Sequence, residues 1–536
     1  MKLSLEKMVG QRILLAFRGK DHVPQDFRDA IKRYKPAGIT FFRSLNIDTP
    51  QQVQKLTIEL QAAAREADLP DLLIAIDQEG GQLMAIGNGT TPLPGNMALG
   101  AIGDKNLARR AGEVLGRELS AMGINVDYAP SCDVINNPEN PGIGIRSFGE
   151  DPKMVAELAS AMVAGIQAEG VAATIKHFPG HGDASGDSHY RLPVVPHSLE
   201  RLKRVEFPPF VKAIGAGSKM VMTAHLALPA IDGPDAPPAT LSLAVLKGLL
   251  RGELGFKGVI VTDAMDMKAI AQGEALGMNA VRAAGAGADM LLMTSDPDDQ
   301  RLVHTSLMEA ARNGDLIMEE NEKSVDQILA LKQWLAEQPQ NLDLSVVGCD
   351  AHQKVADEIA QRSITLVRNQ VGLLPLRLTP EKRIAVVFPE PMDLTPADTS
   401  SYVIPTLGKA IRQYHPHVDE YLISQTPSSM DICNLVTQLW KYDLIVIGTI
   451  NAYNKSQQAV LVQEILKTGI ATIVAAMRLP YDLAAFPEAQ TYVCTYSILE
   501  PSMNALASAL FGKSVFQGHL PVSIPGLYSM GYSQKM

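Results

Sequence analysis

The chain has 536 residues, 46% apolar and 20% charged, which excludes a disordered or collagen-like polymer and leaves room for several cores. Acidic residues number 58 against 48 basic ones, a net charge of −10, which excludes a dedicated nucleic-acid binder with its basic surface. Four widely spaced cysteines (Cys132, Cys349, Cys433, Cys494) form no CxxC pair, so a zinc ribbon and a thioredoxin-type redox motif are excluded too.

The opening stretch MKLSLEKMVGQRILLAFRGK carries charges at Lys2, Glu6, Lys7 and Arg12 and has no signal-peptide pattern. No apolar run approaches the roughly 18 residues of a membrane helix. A soluble cytoplasmic protein without membrane or nucleic-acid partners is the expectation. Apolar, β-branched runs then recur: RILLAF from Arg12, GITFF from Gly38, LLIAID from Leu72, INVDYAP from Ile124, VAATIKH from Val171, KMVMTAH from Lys219, GVIVTDAM from Gly258 and DMLLMT from Asp289. Most lack period-two alternation, as parallel strands covered on both faces do. Amphipathic stretches ending at Gly separate them, for example NLARRAGEVLGRELSAMG. Eight strands alternating with helices predict a (β/α)8 TIM-type barrel over residues 1–338, an open doubly wound sheet being the competing layout.

Around Pro339 the helical periodicity lapses, placing a linker at 339–351. Beyond it, IAVVFP, DLIVIGT, ATIVAAM and TYVCTYS read as further buried strands, and residues 352–536 as a three-layer α/β/α sandwich domain. This domain holds no catalytic motif and is expected to pack against the barrel in a structural role. The chain has no GxSxG elbow, no HExxH and no GxGxxG after a strand; FGKS at Phe511 lacks the leading glycine of a phosphate loop, where Ala507 stands.

Asp77, Asp127, Lys176 with His177, His225 and Asp263 each follow a predicted strand, and barrel active sites gather at strand C-terminal ends. One such residue is ordinarily a cap or turn residue; five or six are not. The segment Lys176 to His189 concentrates three of the 11 histidines with Asp183 and Asp187, and its glycines and Pro179 mark it as a loop. In Asp187-x-His189 an imidazole able to give and take a proton sits beside a carboxylate that would orient it. A metal site of His177, His181 and Asp183 is the rival reading.

KHFPGHGDxxxDSH, together with DQEGG from Asp77, NPxIGxRSFGxDP from Asn140 and VxTDAMDM from Val259, resembles glycoside hydrolase family 3, in the two-domain form of its bacterial β-N-acetylglucosaminidase branch; GHLPVSIP from Gly518 is also typical. The resemblance implies that Asp263 is the nucleophile, His189 the general acid/base and Asp187 its partner. Asp77, Arg146, Lys176 and His177 would hold the sugar hydroxyls, with Met267 and His225 in pocket-rim motifs and Asp133 and Asn136 bracing the loop. It implies a retaining exo-β-N-acetylglucosaminidase, acting without metal or cofactor on oligosaccharide or glycopeptide substrates such as muropeptide fragments of cell-wall recycling or chitin-type sugars. The alternatives are a β-N-acetylglucosaminide phosphorylase using the same site and a non-catalytic sugar binder. One departure stands out: the family often has Arg eight residues after the first Asp of DQEGG, and here that position is Ala85.

Overall fold

All eight apolar runs of the first half contain parallel strands: β1 Ile13–Leu15, β2 Gly38–Thr40, β3 Leu73–Ile76, β4 Val126–Asp127, β5 Ala172–Phe178, β6 Met220–Thr223, β7 Val259–Thr262 and β8 Leu291–Leu292. The computed structural model describes residues 3–140, 142–184, 192–270, 273–339 and 342–535. Each strand pairs with the next in chain order from β1 to β7, and β8 pairs with β1. Met290 closes the ring between β7 and β8: its N–H donates to Ile260 O, and its carbonyl accepts from Thr262 N–H, both at 3.0 Å.

Packing explains the missing alternation. Leu14, Ala75, Val126, Met222, Val261 and Leu292 point into the barrel, while Leu15, Ile74, Ile76, Ile175, Val221 and Ile260 point out to the helices. Successive side chains do face opposite sides, but both sides are apolar because both are covered. Ile328, Leu331 and Leu335 of the helix Met318–Ala336 join the interior cluster and close the end where the strands begin. The other end is left for polar residues.

The second sheet has six strands: β9 Thr365–Asn369, β10 Ile384–Pro389, β11 Val418–Ile423, β12 Leu444–Thr449, β13 Ala471–Ala476 and β14 Thr491–Cys494, in the order β9-β14-β13-β12-β10-β11. All pairings are parallel except β9 with β14. One face packs Val386, Val446 and Ile473 with Ile411 and Leu506 of the helices Leu407–Arg412 and Glu500–Leu510. The other packs Val387, Ile445 and Val474 with Leu435 and Val462 of the helices Ser429–Leu439 and Ser456–Lys467. That second cluster is continuous with the outer core of the barrel. Buried polar bonds also join the halves: Glu118, on a barrel helix, accepts from His352 Nδ1 at 2.8 Å and from the Gly348 N–H at 2.9 Å. No helix among the described residues is long and apolar enough to cross a membrane.

Candidate active site

The open end of the barrel holds a cavity of about 560 Å³. Asp77, Arg146, Lys176, His177, Asp263 and Met267, residues scattered over 191 positions of sequence, all line it. Asp187 and His189 lie outside the described residues.

Asp77 directly follows β3, and the chain then turns back in a short hairpin, Gln78–Gly80 with Leu83–Met84. Gly80 and Gly81 have φ of +82° and +63°, and a Cβ on Gly81 would stand 2.8 Å from Pro94 O, so the paired glycines serve both conformation and close approach. Lys176, within β5, is buried and paired with Asp77 and, at 2.7 Å, with Glu79. Glu79 also takes both forks of Arg146, at 3.0 and 2.7 Å. Burial alone would raise the Glu79 carboxyl, but Arg146 and Lys176 outweigh it and hold its pKa down at about 2. Burial works against the Lys176 charge in turn; Asp77 and Glu79 overcome it, and the pKa stands above the usual lysine value. Two cations and two carboxylates thus form one charge-compensated cluster, of which Asp77, Lys176 and Arg146 face the cavity and Glu79 ties them from behind. Glu79, which stands inside DQEGG, has no strand-end position to single it out in the sequence, yet it holds both cations of the site.

His177 donates from Nδ1 to Asp133 at 2.7 Å and presents Nε2 to Arg146 Nη2 at 3.3 Å, an arrangement in which Nε2 accepts. Burial would lift the Asp133 carboxyl, but His177 holds it well below the carboxylate range. Asp133 also accepts the His181 N–H at 2.6 Å. The loop is further tied by Asn140, which donates to His181 O at 2.9 Å, and by Gly182, where a Cβ would meet Val134 O at 2.0 Å. Asp183 is drawn away into pairs with His197 at 2.7 Å and Arg201 at 3.3 Å. The His177–His181–Asp183 metal reading therefore loses its carboxylate and the lone pair of His177 Nε2, and among the described residues no group of three or more His, Cys, Asp or Glu is placed to hold a metal ion.

Asp263 follows β7; its N–H reaches Thr223 O at 3.3 Å and its Oδ1 accepts the Ala264 N–H at 2.8 Å. His225 does not line the cavity. It is fully buried behind Asp263, where Nε2 donates to Ala264 O at 2.9 Å and fixes that turn. Asp127 is likewise buried beneath the site, accepting the Gln78 N–H at 3.1 Å, and burial pushes its pKa well above the usual carboxylate value.

Residues 4–331 match the glycosyl hydrolase family 3 N terminal domain, and residues 364–533 the glycosyl hydrolase family 3 C-terminal domain. The chain belongs to glycoside hydrolase family 3. A family 3 β-N-acetylglucosaminidase from Paenibacillus sp. str. FPU-7 has a similar structure, with a TM-score of 0.92 and 40% identity over 97% of this chain and 99% of that one. The β-glucoside phosphorylase BglX is similar with a TM-score of 0.82 and 26% identity over 97% and 94%. Beta-hexosaminidase A of Pseudoalteromonas piscicida is 30% identical over 97% of both chains.

This family 3 glycoside hydrolase also builds its pocket from both domains. The segment between β10 and β11 reaches the barrel, where Thr399 N–H donates to Gln82 O and Met84 N–H to Thr399 Oγ1, each at 3.0 Å. Asp393, Ala397, Thr399 and Tyr402 thereby become cavity wall. The second domain, expected from its lack of motifs to be structural, also supplies part of the cavity wall. Beside this wall Arg43, the first residue of the short helix Arg43–Asn46 after β2, donates to the carbonyls of Met84 and Ala85 at 3.1 Å each, so a cation stands next to Ala85 although position 85 has none.

Proposed function

We propose that this glycoside hydrolase is a retaining exo-β-N-acetylglucosaminidase that releases terminal β-linked N-acetylglucosamine from muropeptide or chitin-type oligosaccharides. The observation that carries the reading is the convergence of Asp263 with Asp77, Lys176 and Arg146 around one cavity, the two cations tied together by Glu79. A carboxylate such as Asp77 accepts two sugar hydroxyls, and buried ammonium and guanidinium groups donate to others, which fixes one sugar ring over Asp263. Asp263 attacks the anomeric carbon; the C1–O bond to the leaving sugar breaks, and the departing oxygen takes a proton from His189. Asp187 holds that imidazole and stabilises its charge. Water, giving its proton back to His189, then displaces Asp263 with retention of configuration. The relatives named as β-N-acetylglucosaminidase and β-hexosaminidase support the N-acetyl sugar.

Likeness to a phosphorylase keeps phosphorolysis as the second reading, with phosphate replacing water in the second step. The deciding measurement is turnover of an aryl β-N-acetylglucosaminide and the matching β-glucoside, each with and without phosphate and chelator. Selective release from the N-acetyl sugar, indifferent to both additives, is expected. Acceleration by phosphate with sugar 1-phosphate as product would move the assignment to the phosphorylase, and no release from either glycoside would overturn both.

A further inference from the structure

Single apolar side chains on a surface are ordinary, but an exposed aromatic ring on the wall of a sugar pocket is a feature of another kind. Tyr402 is 55% exposed although it lines the cavity. Its ring is nevertheless held. The Arg43 guanidinium lies over one face, 3.8 Å from the centroid, and the Met84 and Ala85 carbonyls pin that guanidinium from the barrel side. A cation on one face fixes a ring without covering the other. On the same segment Met392 and Ile404 are 46% and 79% exposed. The polar groups that suit sugar hydroxyls, Asp77, Lys176 and Arg146, belong to the barrel. Alongside Asp393, Asp398 and Thr399, the second domain offers the cavity an exposed aromatic surface.

We propose that Tyr402, fixed by Arg43, is the platform on which the leaving-group sugar stacks, so that the second domain determines which aglycones are accepted. A pyranose has an apolar face of C–H groups, and an aromatic ring gives it contact area at low conformational cost. This inference rests on the β-N-acetylglucosaminidase reading given above. Tyr402 is here a specificity-determining residue for the same reaction, acting on the half of the substrate that Asp263 does not attack.

The test compares two substrates that differ only in the leaving group: N-acetyl-β-glucosaminyl fluoride, which fills no leaving-group subsite, and the β-1,4-linked disaccharide of N-acetylglucosamine. The readout is the ratio of their kcat/KM values. In Tyr402→Ala and in Tyr402→Leu, which keeps bulk without the ring, the disaccharide-to-fluoride ratio is expected to fall at least tenfold. Tyr402→Phe, which keeps the ring, should restore most of it. An unchanged ratio in both ring-less variants overturns the inference and leaves Tyr402 as a strut between the domains, and so does a loss that Phe does not rescue. A wild-type protein that cleaves neither compound would instead overturn the functional reading on which the inference rests.

Discussion

Glu79 and Arg146 form a two-pronged ion pair in which both side chains are almost wholly withdrawn from water, at 1% and 5% exposure. Removing one member of such a pair leaves a buried charge uncompensated, at a cost of about 3–5 kcal/mol. Glu79→Gln is therefore expected to lower unfolding free energy by about 3 kcal/mol in denaturant titration and to reduce kcat/KM about 100-fold. Substantially intact kcat/KM would mean that Arg146 and Lys176 keep their positions without the charge.

The same carboxylate sets an acid limit. Its pKa falls from the ordinary 4.5 to about 2 on folding, so its stabilising contribution is present above pH 4.5 and is lost as pH falls from there to about 2. Stability measured across that window should decline more steeply in wild type than in Glu79→Gln, the difference amounting to about one proton. Parallel curves would show that Glu79 does not titrate there.

Lys332 lies at the opposite end of the barrel, with its ammonium nitrogen buried and, among the described residues, without a hydrogen-bond partner. Burial pulls its pKa down from 10.5 to about 7. Between these values the unfolded chain holds one proton more than the folded one, so stability rises with pH from 7 towards 10.5 and the full penalty is felt below 7. Lys332→Met should raise Tm by several degrees at pH 6, and by less at pH 9.5. The same gain at both values would show that packing, not charge, decides.

Asp263→Ala is expected to reduce turnover at least 1000-fold, on the order expected for loss of a covalent nucleophile, with the thermal unfolding curve preserved. Residual activity within tenfold of wild type would remove Asp263 from that role.

His189→Ala should harm substrates with poor leaving groups far more than activated aryl glycosides, because only the former need strong protonation at departure. A gap of at least tenfold between the two losses is the expected outcome in parallel kinetic assays. Equal losses would mean that His189 does not protonate the leaving oxygen.

The barrel was legible because its strands, buried on both faces, stand out as uninterrupted apolar runs such as LLIAID. The edge strands of the second sheet were not. In β11 the run VDEYLI places Asp419, Glu420 and Leu422 towards solvent and reads as surface chain, while β9 follows within two residues of the helix Asp350–Ser363 and is absorbed into it. At the site, Asp77, Lys176, His177 and Asp263 could be named from their strand-end positions, whereas Arg146 and Met267 came only from the family resemblance. Glu79 escaped because a carboxylate one residue beyond Gln78 carries no sign of its two buried partners until the hairpin folds it inward. Tyr402 and Arg43, 359 positions apart, have no local signal at all; only the packing of two domains makes them neighbours.

The hydrogen bonds between Thr399 and the hairpin residues Gln82 and Met84 have a bearing on chimeras. That hairpin begins one residue after Asp77, so the piece of chain that follows the proposed sugar-binding carboxylate is also the socket for the other domain. A hybrid joining this barrel to a relative's C-terminal half would have to inherit residues 78–84 and 393–402 from one parent, and a mismatch there would be felt first as altered substrate choice while both halves still fold.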